Sequence, residues 1–198
     1  SYISIAESLI HAGARNKTKV NLHWIHSSKL ETQDCKSVLK DIHGIIVAPG
    51  FGSRGIEGKI KAVHYARTKK IPFLGICLGM QCAVVEFARN VLKMENANSI
   101  EIDSETKFPV ISMMEEQKKL KKMGGTMRLG AYKCDIEKET LLHKIYKKEI
   151  ILERHRHRFE FNNKYVKEFE SKGLIFSGKN SKNQLMETIE ISDHPWFV

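Results

Sequence analysis

The chain has 198 residues, of which 41% are hydrophobic and 28% charged, with a formal net charge of +10. That is enough for one sizeable core and a single domain; no apolar run approaches the ~20 residues that a membrane-spanning helix needs, and no signal peptide is visible. The four cysteines, Cys35, Cys77, Cys82 and Cys134, form no CxxC pair, which predicts reduced thiols and a cytoplasmic setting.

In chain order, Ile5, Ala6, Leu9 and Ile10 recur at helical spacing up to His11-Ala12-Gly13. An α/β domain that opens on a helix lacks the strand that should feed it, so residues are expected before Ser1. Val20-Asn21-Leu22-His23-Trp24-Ile25 alternates as a strand should, and residues 42–48 read as a buried strand. That strand ends in Pro49-Gly50-Phe51-Gly52-Ser53-Arg54-Gly55, a glycine-rich loop ahead of a helix over 56–68. No Gly-Lys-Ser/Thr follows, so the loop is not a P-loop.

Next comes Ile71-Pro72-Phe73-Leu74-Gly75-Ile76-Cys77-Leu78-Gly79-Met80-Gln81. It reads as a short apolar strand, a sharp turn with Cys77 at its tip, and a helix over 80–91. That helix has Val84, Val85, Ala88 and Val91 on one face and Glu86 and Arg89 off it. Gly75-x-Cys77-x-Gly79 is the spacing of a nucleophile elbow with Cys in place of Ser. Side chains at the two glycines would crowd the turn, and the helix start directs N–H groups at the sulfur, where they favour thiolate and can hold a developing oxyanion. The spacing alone is equally that of an inert cysteine buried behind a parallel strand.

Beyond Val91, residues 98–102 are extended. Phe108-Pro109-Val110-Ile111 leads into Met113-Met114-Glu115-Glu116-Gln117 and a lysine loop, and Gly124-Gly125 breaks the chain. Strands follow over 126–132, 150–153 and 158–161. A helix over 163–171 ends before Gly173, and strands over 174–176 and 185–191 form a hairpin. His194-Pro195-Trp196-Phe197-Val198 closes on an apolar strand signal. Strands alternating with helices predict an α/β fold: a doubly wound, mostly parallel central sheet flanked by helices, with a small antiparallel β extension. Such sheets bind ligands at the carboxyl ends of their strands, where Cys77 and the loop 50–55 both lie.

The positive charge concentrates in Lys118-Lys119-Leu120-Lys121-Lys122 and Arg154-His155-Arg156-His157-Arg158. A solvated loop accounts for the first. An anionic ligand, nucleotide phosphate or nucleic acid, is the functional reading of either, but no recognition-helix or RNA-binding signature accompanies them. His155-x-His157 has the alternation of a strand-borne metal pair, with no third ligand nearby. Cys82 falls inside the helix after the elbow, where packing explains it, and Met113, Met114 and Met123 read as gap-filling residues.

Taken together, Gly75-Ile76-Cys77-Leu78-Gly79-Met80-Gln81 resembles the nucleophile motif of class I (triad) glutamine amidotransferases. Three further stretches resemble the glutaminase domain of the CTP synthase family: Met114-Glu115-Glu116-Gln117, residues 124–132, and Glu153-Arg154-His155-Arg156-His157-Arg158-Phe159-Glu160-Phe161-Asn162. Asp193-His194-Pro195-Trp196-Phe197-Val198 is similar to the stretch before that family's catalytic histidine. The likeness implies a single glutaminase domain over 1–198, truncated at both ends, without the synthase domain. It implies hydrolysis of L-glutamine to glutamate and ammonia without metal or organic cofactor. Cys77 becomes the nucleophile of a glutamyl thioester, and Gly50 and Leu78 become oxyanion donors. The substrate is bound by Gly50, Leu78, Gly79, Met80, Gln81, Glu101 and Arg158. Phe51 and the region 126–130, including Arg128, lie by the same resemblance near the site where GTP activates the family. ATP and Mg²⁺ belong to the absent N-terminal synthase domain, where UTP is aminated, and the full-length protein is expected to be a homo-oligomer, a tetramer.

Two departures stand out. The family loop reads Pro-Gly-Gly-Phe-Gly, whereas Ala48-Pro49-Gly50-Phe51-Gly52 has one glycine before the phenylalanine. The family's base and acid come from His-Pro-Glu, yet none of the nine histidines has Asp or Glu two residues later, so that pair is expected beyond Val198 and the fragment is expected to be inactive alone. The other readings are a different class I amidotransferase or cysteine-elbow hydrolase, a basic nucleotide- or nucleic-acid-binding module, and a redox-sensing thiol.

Overall fold

A computed structural model of the protein describes residues 2–113 and 127–198. The expectations for residues 114–126, namely the Met114–Gln117 likeness, the lysine loop and Gly124-Gly125, lie outside the described residues.

The centre of the fold is a parallel pair. β1 (Ile45–Val47) and β2 (Phe73–Gly75) align Ile45 with Phe73 and Val47 with Gly75. The crossover between them is helix α4 (Ile56–Lys69), and helix α5 (Leu78–Asn90) leaves β2 after the turn. On the other side of β2 the last residues run parallel to it. Phe73 N–H donates to Trp196 O at 2.9 Å and Gly75 N–H to Val198 O at 2.8 Å. The Phe73 and Phe197 rings stack with centroids 4.4 Å apart, and both are almost wholly buried. The α/β architecture read from the alternation of strands and helices is the one observed.

Glu86, expected off the apolar face of α5, is fully buried. The helix is covered on both sides, so the carboxylate is compensated inside the core. Arg67 of α4 reaches it with two bonds of 2.7 Å, His64 Nδ1 lies 2.8 Å away, and Asn90 Nδ2 donates at 3.0 Å. A buried carboxylate is tolerable only with such pairing.

At the start of the chain, α1 (Ile3–Arg15) buries only Gly13 and leaves Ile3 and Ile10 exposed. Residues 20–25, expected as a strand, run without strand pairing among the described residues, with Trp24 62% exposed. Alternation there had no sheet edge to serve. The short helices α2 (Ser27–Thr32) and α3 (Cys35–Val38) are too brief to give a periodic signal; α3 starts where the Asp34 carboxylate accepts from Ser37 N–H.

The antiparallel part is larger than expected. β4 (Pro109–Ser112) pairs antiparallel with β7 (Glu160–Phe161), and β3 (Asn98–Ser99) joins the same small sheet parallel to β4. A four-stranded sheet runs in the order β6 (Ile150–His157), β5 (Arg128–Ile136), β8 (Leu174–Asn180), β9 (Leu185–Ile191). The sequence suggests a break at 154–157, but β6 continues through it. Its ladder with β5 extends from Asp135–Ile150 to Arg128–His157. Along this stretch Arg154 and Arg156 face solvent and His155 faces inward, an alternation that satisfies a half-buried strand despite the charge. Helix α6 (Leu141–Tyr146) begins under Glu190, whose carboxylate accepts from Leu141 and Leu142 N–H at 2.8 Å each. A 3₁₀ turn (Asn163–Tyr165) leads into α7 (Val166–Glu170) in place of one continuous helix.

Candidate active site

Cys77 sits between β2 and α5 with φ 57° and ψ −106°. A non-glycine residue held there stores strain of about 1–3 kcal/mol and is found where surrounding structure imposes it. The imposing contacts are backbone to backbone. Ile76 N–H donates to Val47 O at 3.0 Å, and Gly79 N–H to Ile76 O at 2.9 Å. A Cβ on Gly79 would lie 2.0 Å from Val47 O, and one on Gly75 would lie 2.8 Å from the Gly79 carbonyl carbon and Met80 N. Both glycines are thus required by close approach. Gly79→Ala is expected to cost about 3 kcal/mol or more, because the clash is with a strand carbonyl rather than a movable side chain; urea denaturation measures it, and a loss under about 1 kcal/mol would contradict the tight turn.

The first turn of α5 contains no acidic side chain, so no carboxylate of its own neutralises the positive end of the helix facing the sulfur. Gly50 packs against the start of α5: a Cβ there would lie 3.2 Å from Leu78 Cδ2. Hence the glycine-rich loop and the elbow adjoin, as neighbouring parallel strands require. Cys77 is half-buried beside a cavity of about 180 Å³. That is below the ~300 Å³ of drug-sized sites and suits a small polar molecule.

Of the residues singled out in the sequence, Gly50, Phe51, Cys77, Gln81, Glu101 and Arg158 line this cavity together. Gln81 Nε2 donates to Phe159 O at 3.0 Å, and Glu101 Oε1 accepts from Gly52 N–H at 3.3 Å, so both side chains are held in place from the cavity rim. Leu78, Gly79 and Met80 open α5 directly after Cys77 and are not part of the lining. Phe51 is 61% exposed, with the Arg156 guanidinium carbon 5.8 Å from its ring centroid.

The Arg128 side chain, placed by resemblance in the region of an effector site, is turned into the protein. It is 4% exposed. Two of its N–H groups clasp Glu187 at 2.6 and 2.8 Å, its Nε lies 3.1 Å from Glu160 Oε1, and it stacks 4.9 Å over the Tyr132 ring. The guanidinium is turned to carboxylates and an aromatic face, away from solvent.

His155 and His157, weighed as a metal pair, also go to this cluster. Their Nδ1 atoms are 3.4 Å apart; His155 Nε2 lies 3.2 Å from Glu187 Oε2 and His157 Nδ1 lies 3.5 Å from Glu160 Oε2. Among the described residues no group of three His, Cys, Asp or Glu side chains could hold a metal ion. Burial holds the His155 pKa below the usual imidazole range. Its Nδ1 must accept from Arg128, 2.8 Å away, because a guanidinium only donates.

His157 lines the same cavity as Cys77. Burial works against charge on this ring, but Cys77 and Glu160 beside it outweigh that and push its pKa up to about 10. Sequence reasoning missed this placement. The one signal available was His157-x-x-Glu160, unremarkable on a strand. Burial pushes the thiol pKa of Cys82 and of Cys134 up to about 12, and raises that of Cys35.

Comparison with known proteins agrees with this geometry. The family model for glutamine amidotransferase class-I matches residues 1–198. The chain is 54% identical over 198 residues to a CTP synthase of Clostridium acetobutylicum and 57% identical to one of Flavobacterium psychrophilum, in each case across all of this chain and 37% of the relative. It thus spans little more than a third of the length of those curated relatives. Among solved structures it is similar to the glutaminase domain of Trypanosoma brucei CTP synthase with bound acivicin, at 34% identity and a TM-score of 0.92, covering 99% of this chain and 77% of that one. The chain belongs to the class-I glutamine amidotransferase family and, within it, to the glutaminase domains of CTP synthases.

Proposed function

We propose that this domain hydrolyses L-glutamine to glutamate and ammonia through Cys77. The observation that carries the reading is that one small cavity joins the Cys77 sulfur with Gln81, Glu101 and Arg158. A carboxylate suits the substrate's ammonium and a guanidinium its carboxylate, which leaves the side-chain amide to reach the sulfur. Sγ attacks the amide carbon, the C–N bond breaks, and ammonia departs with the thiol's proton, leaving a glutamyl thioester. Water then cleaves the C–S bond, giving glutamate and restoring the thiol. Leu78 and Gly50 N–H groups receive the oxyanion of each step.

The base and its orienting acid we assign to residues after Val198. Residues 196–198 run parallel to β2, with Phe197 paired to Phe73 and Val198 level with Leu74, three positions before Cys77, so a continuation of a few residues at ~3.3 Å each reaches the sulfur. Residues 1–198 alone are accordingly expected to hydrolyse glutamine at least about 100-fold more slowly than the full-length protein; equal turnover would remove the assignment.

The ammonia serves amination of UTP to CTP in an N-terminal synthase domain of the same polypeptide, with ATP and Mg²⁺ used there and no cofactor in this domain. GTP activation is assigned to the surface around Phe51, whose exposed ring beside Arg156 can take a stacked base. The full-length protein is read as a cytoplasmic homotetramer; among the described residues no helix is long and apolar enough to cross a membrane. The test of the reading is a glutamine analogue with an electrophilic diazoketone. It is expected to label Cys77 alone, because burial raises the pKa of the other three thiols. Labelling spread over all four cysteines, or none at Cys77 in the full-length protein, would count against it.

A further inference from the structure

We propose that the solvent-facing side of the β5–β6 hairpin is the surface on which the N-terminal domain of the longer polypeptide docks, through an apolar patch ringed by carboxylates. The inference rests on the glutaminase reading and names the surface at which its second domain is met.

The hairpin has two faces of opposite character. Arg128, Cys134, Ile151 and His155 point inward and are buried. Outward, the ladder sets Leu129 beside Arg156, Ala131 beside Arg154 and Lys133 beside Leu152, and all six are exposed. Leu152 is 68% exposed, Leu129 58% and Ile150, at the end of the same face, 51%. An exposed aliphatic side chain standing alone needs no explanation. Three on one face of a ladder, bridged by Ala131 and by the alkyl stems of Lys133 and Arg154, mark an interaction site. β6 is also the edge of its sheet.

Position selects the occupant. The face runs into the mouth of the Cys77 cavity: Arg156 belongs to both, and its guanidinium carbon lies 5.8 Å from the exposed Phe51 ring. Ammonia released there is protonated and lost to water unless the domain that consumes it closes over the opening. Chain preceding this domain arrives beside the same mouth, because Tyr2 OH donates to Pro49 O at 3.2 Å, next to Gly50 and Phe51. The curated relatives extend well beyond the segment matched by this chain, which spans 37% of their length.

Charge sets the chemistry of the partner surface. Lys133, Arg154 and Arg156 stand on the face against one acid, Asp135, whose carboxylate accepts from Ser181 N–H and its hydroxyl. The complementary surface therefore carries carboxylates around an apolar centre. A second copy of this face would bring like charges together, which disfavours self-association.

The experiment replaces Leu152 of the full-length protein with the photo-cross-linker p-benzoylphenylalanine and identifies the linked peptides by mass spectrometry after irradiation. Links to peptides that precede Ser1 are expected. Links only to peptides of this domain, whether from the same or a second copy, or no links at all, overturn the inference. Leu129 replaced in the same way carries the same outcomes should the first variant fail to fold. R154E, which lies off the cavity lining, is expected to lower the cross-link yield about threefold or more; an unchanged yield overturns the acidic match. Diazoketone labelling of Cys77 in the same samples separates the two readings. Labelling without links to the N-terminal domain defeats this inference alone, whereas such links without labelling of Cys77 defeat the glutaminase reading alone.

Discussion

Serine in place of Cys77 is expected to lower glutamine-dependent CTP formation by the full-length protein about 10³-fold or more, while the rate with an ammonium salt as nitrogen donor stays within about twofold. The elbow geometry survives the change, because it is set by Gly75, Gly79 and the Val47 carbonyl rather than by the sulfur. What is lost is the sulfur nucleophile; a hydroxyl in the same place, with the same N–H groups before it, attacks an amide poorly. Ammonia supplied from solution bypasses thioester chemistry, so the second arm separates a damaged glutaminase from a damaged protein. Steady-state CTP formation with each nitrogen donor measures both. If the serine variant kept more than about a tenth of its glutamine-dependent rate, sulfur would not be the nucleophile.

Replacing Arg128 with methionine is expected to destabilise the protein by about 3–5 kcal/mol, the cost of leaving buried charges unpaired. Arg128 satisfies Glu187 through two N–H groups and lies within 3.1 Å of Glu160, and the side chains of both acids are at most 6% exposed. Methionine fills much of the stem's volume and keeps contact with Tyr132, so the loss is mainly electrostatic. The double variant R128M/E187Q removes one of the stranded charges and is expected to recover part of the loss, a coupling that a double-mutant cycle in urea reads directly. Additive losses would mean that the cluster is packing rather than pairing. The same variant loosens Glu160, so the cluster ties the small sheet to the four-stranded one.

The sequence alone determined the parts of this protein governed by short-range rules. Gly75-x-Cys77-x-Gly79 specifies the elbow because a close backbone approach excludes side chains at fixed offsets from the bend. The glycine-rich loop 50–55 and the strand–helix alternation place its donors at the same sheet end by connectivity. The lengths of α4 and α5 follow from apolar spacing to within about two residues. Glu86 was not legible: a glutamate off the apolar stripe of a helix is ordinarily solvated, and its burial depends on Arg67 and His64, brought close by the packing of α4 on α5. The strand break expected at 154–157 had the same origin, since charge there reads as exposure unless Glu160 and Glu187 are known to face it.

Only the tertiary structure decided which cation meets which anion. Arg128 and Glu187 are 59 residues apart, and His157 comes to the Cys77 cavity from a different sheet. Helix and strand periods repeat over a few residues, whereas ion pairing acts through space and depends on which strands become neighbours. The nucleophile could therefore be named from its local spacing, but the charges that surround it became visible only when the antiparallel sheet was folded against the elbow.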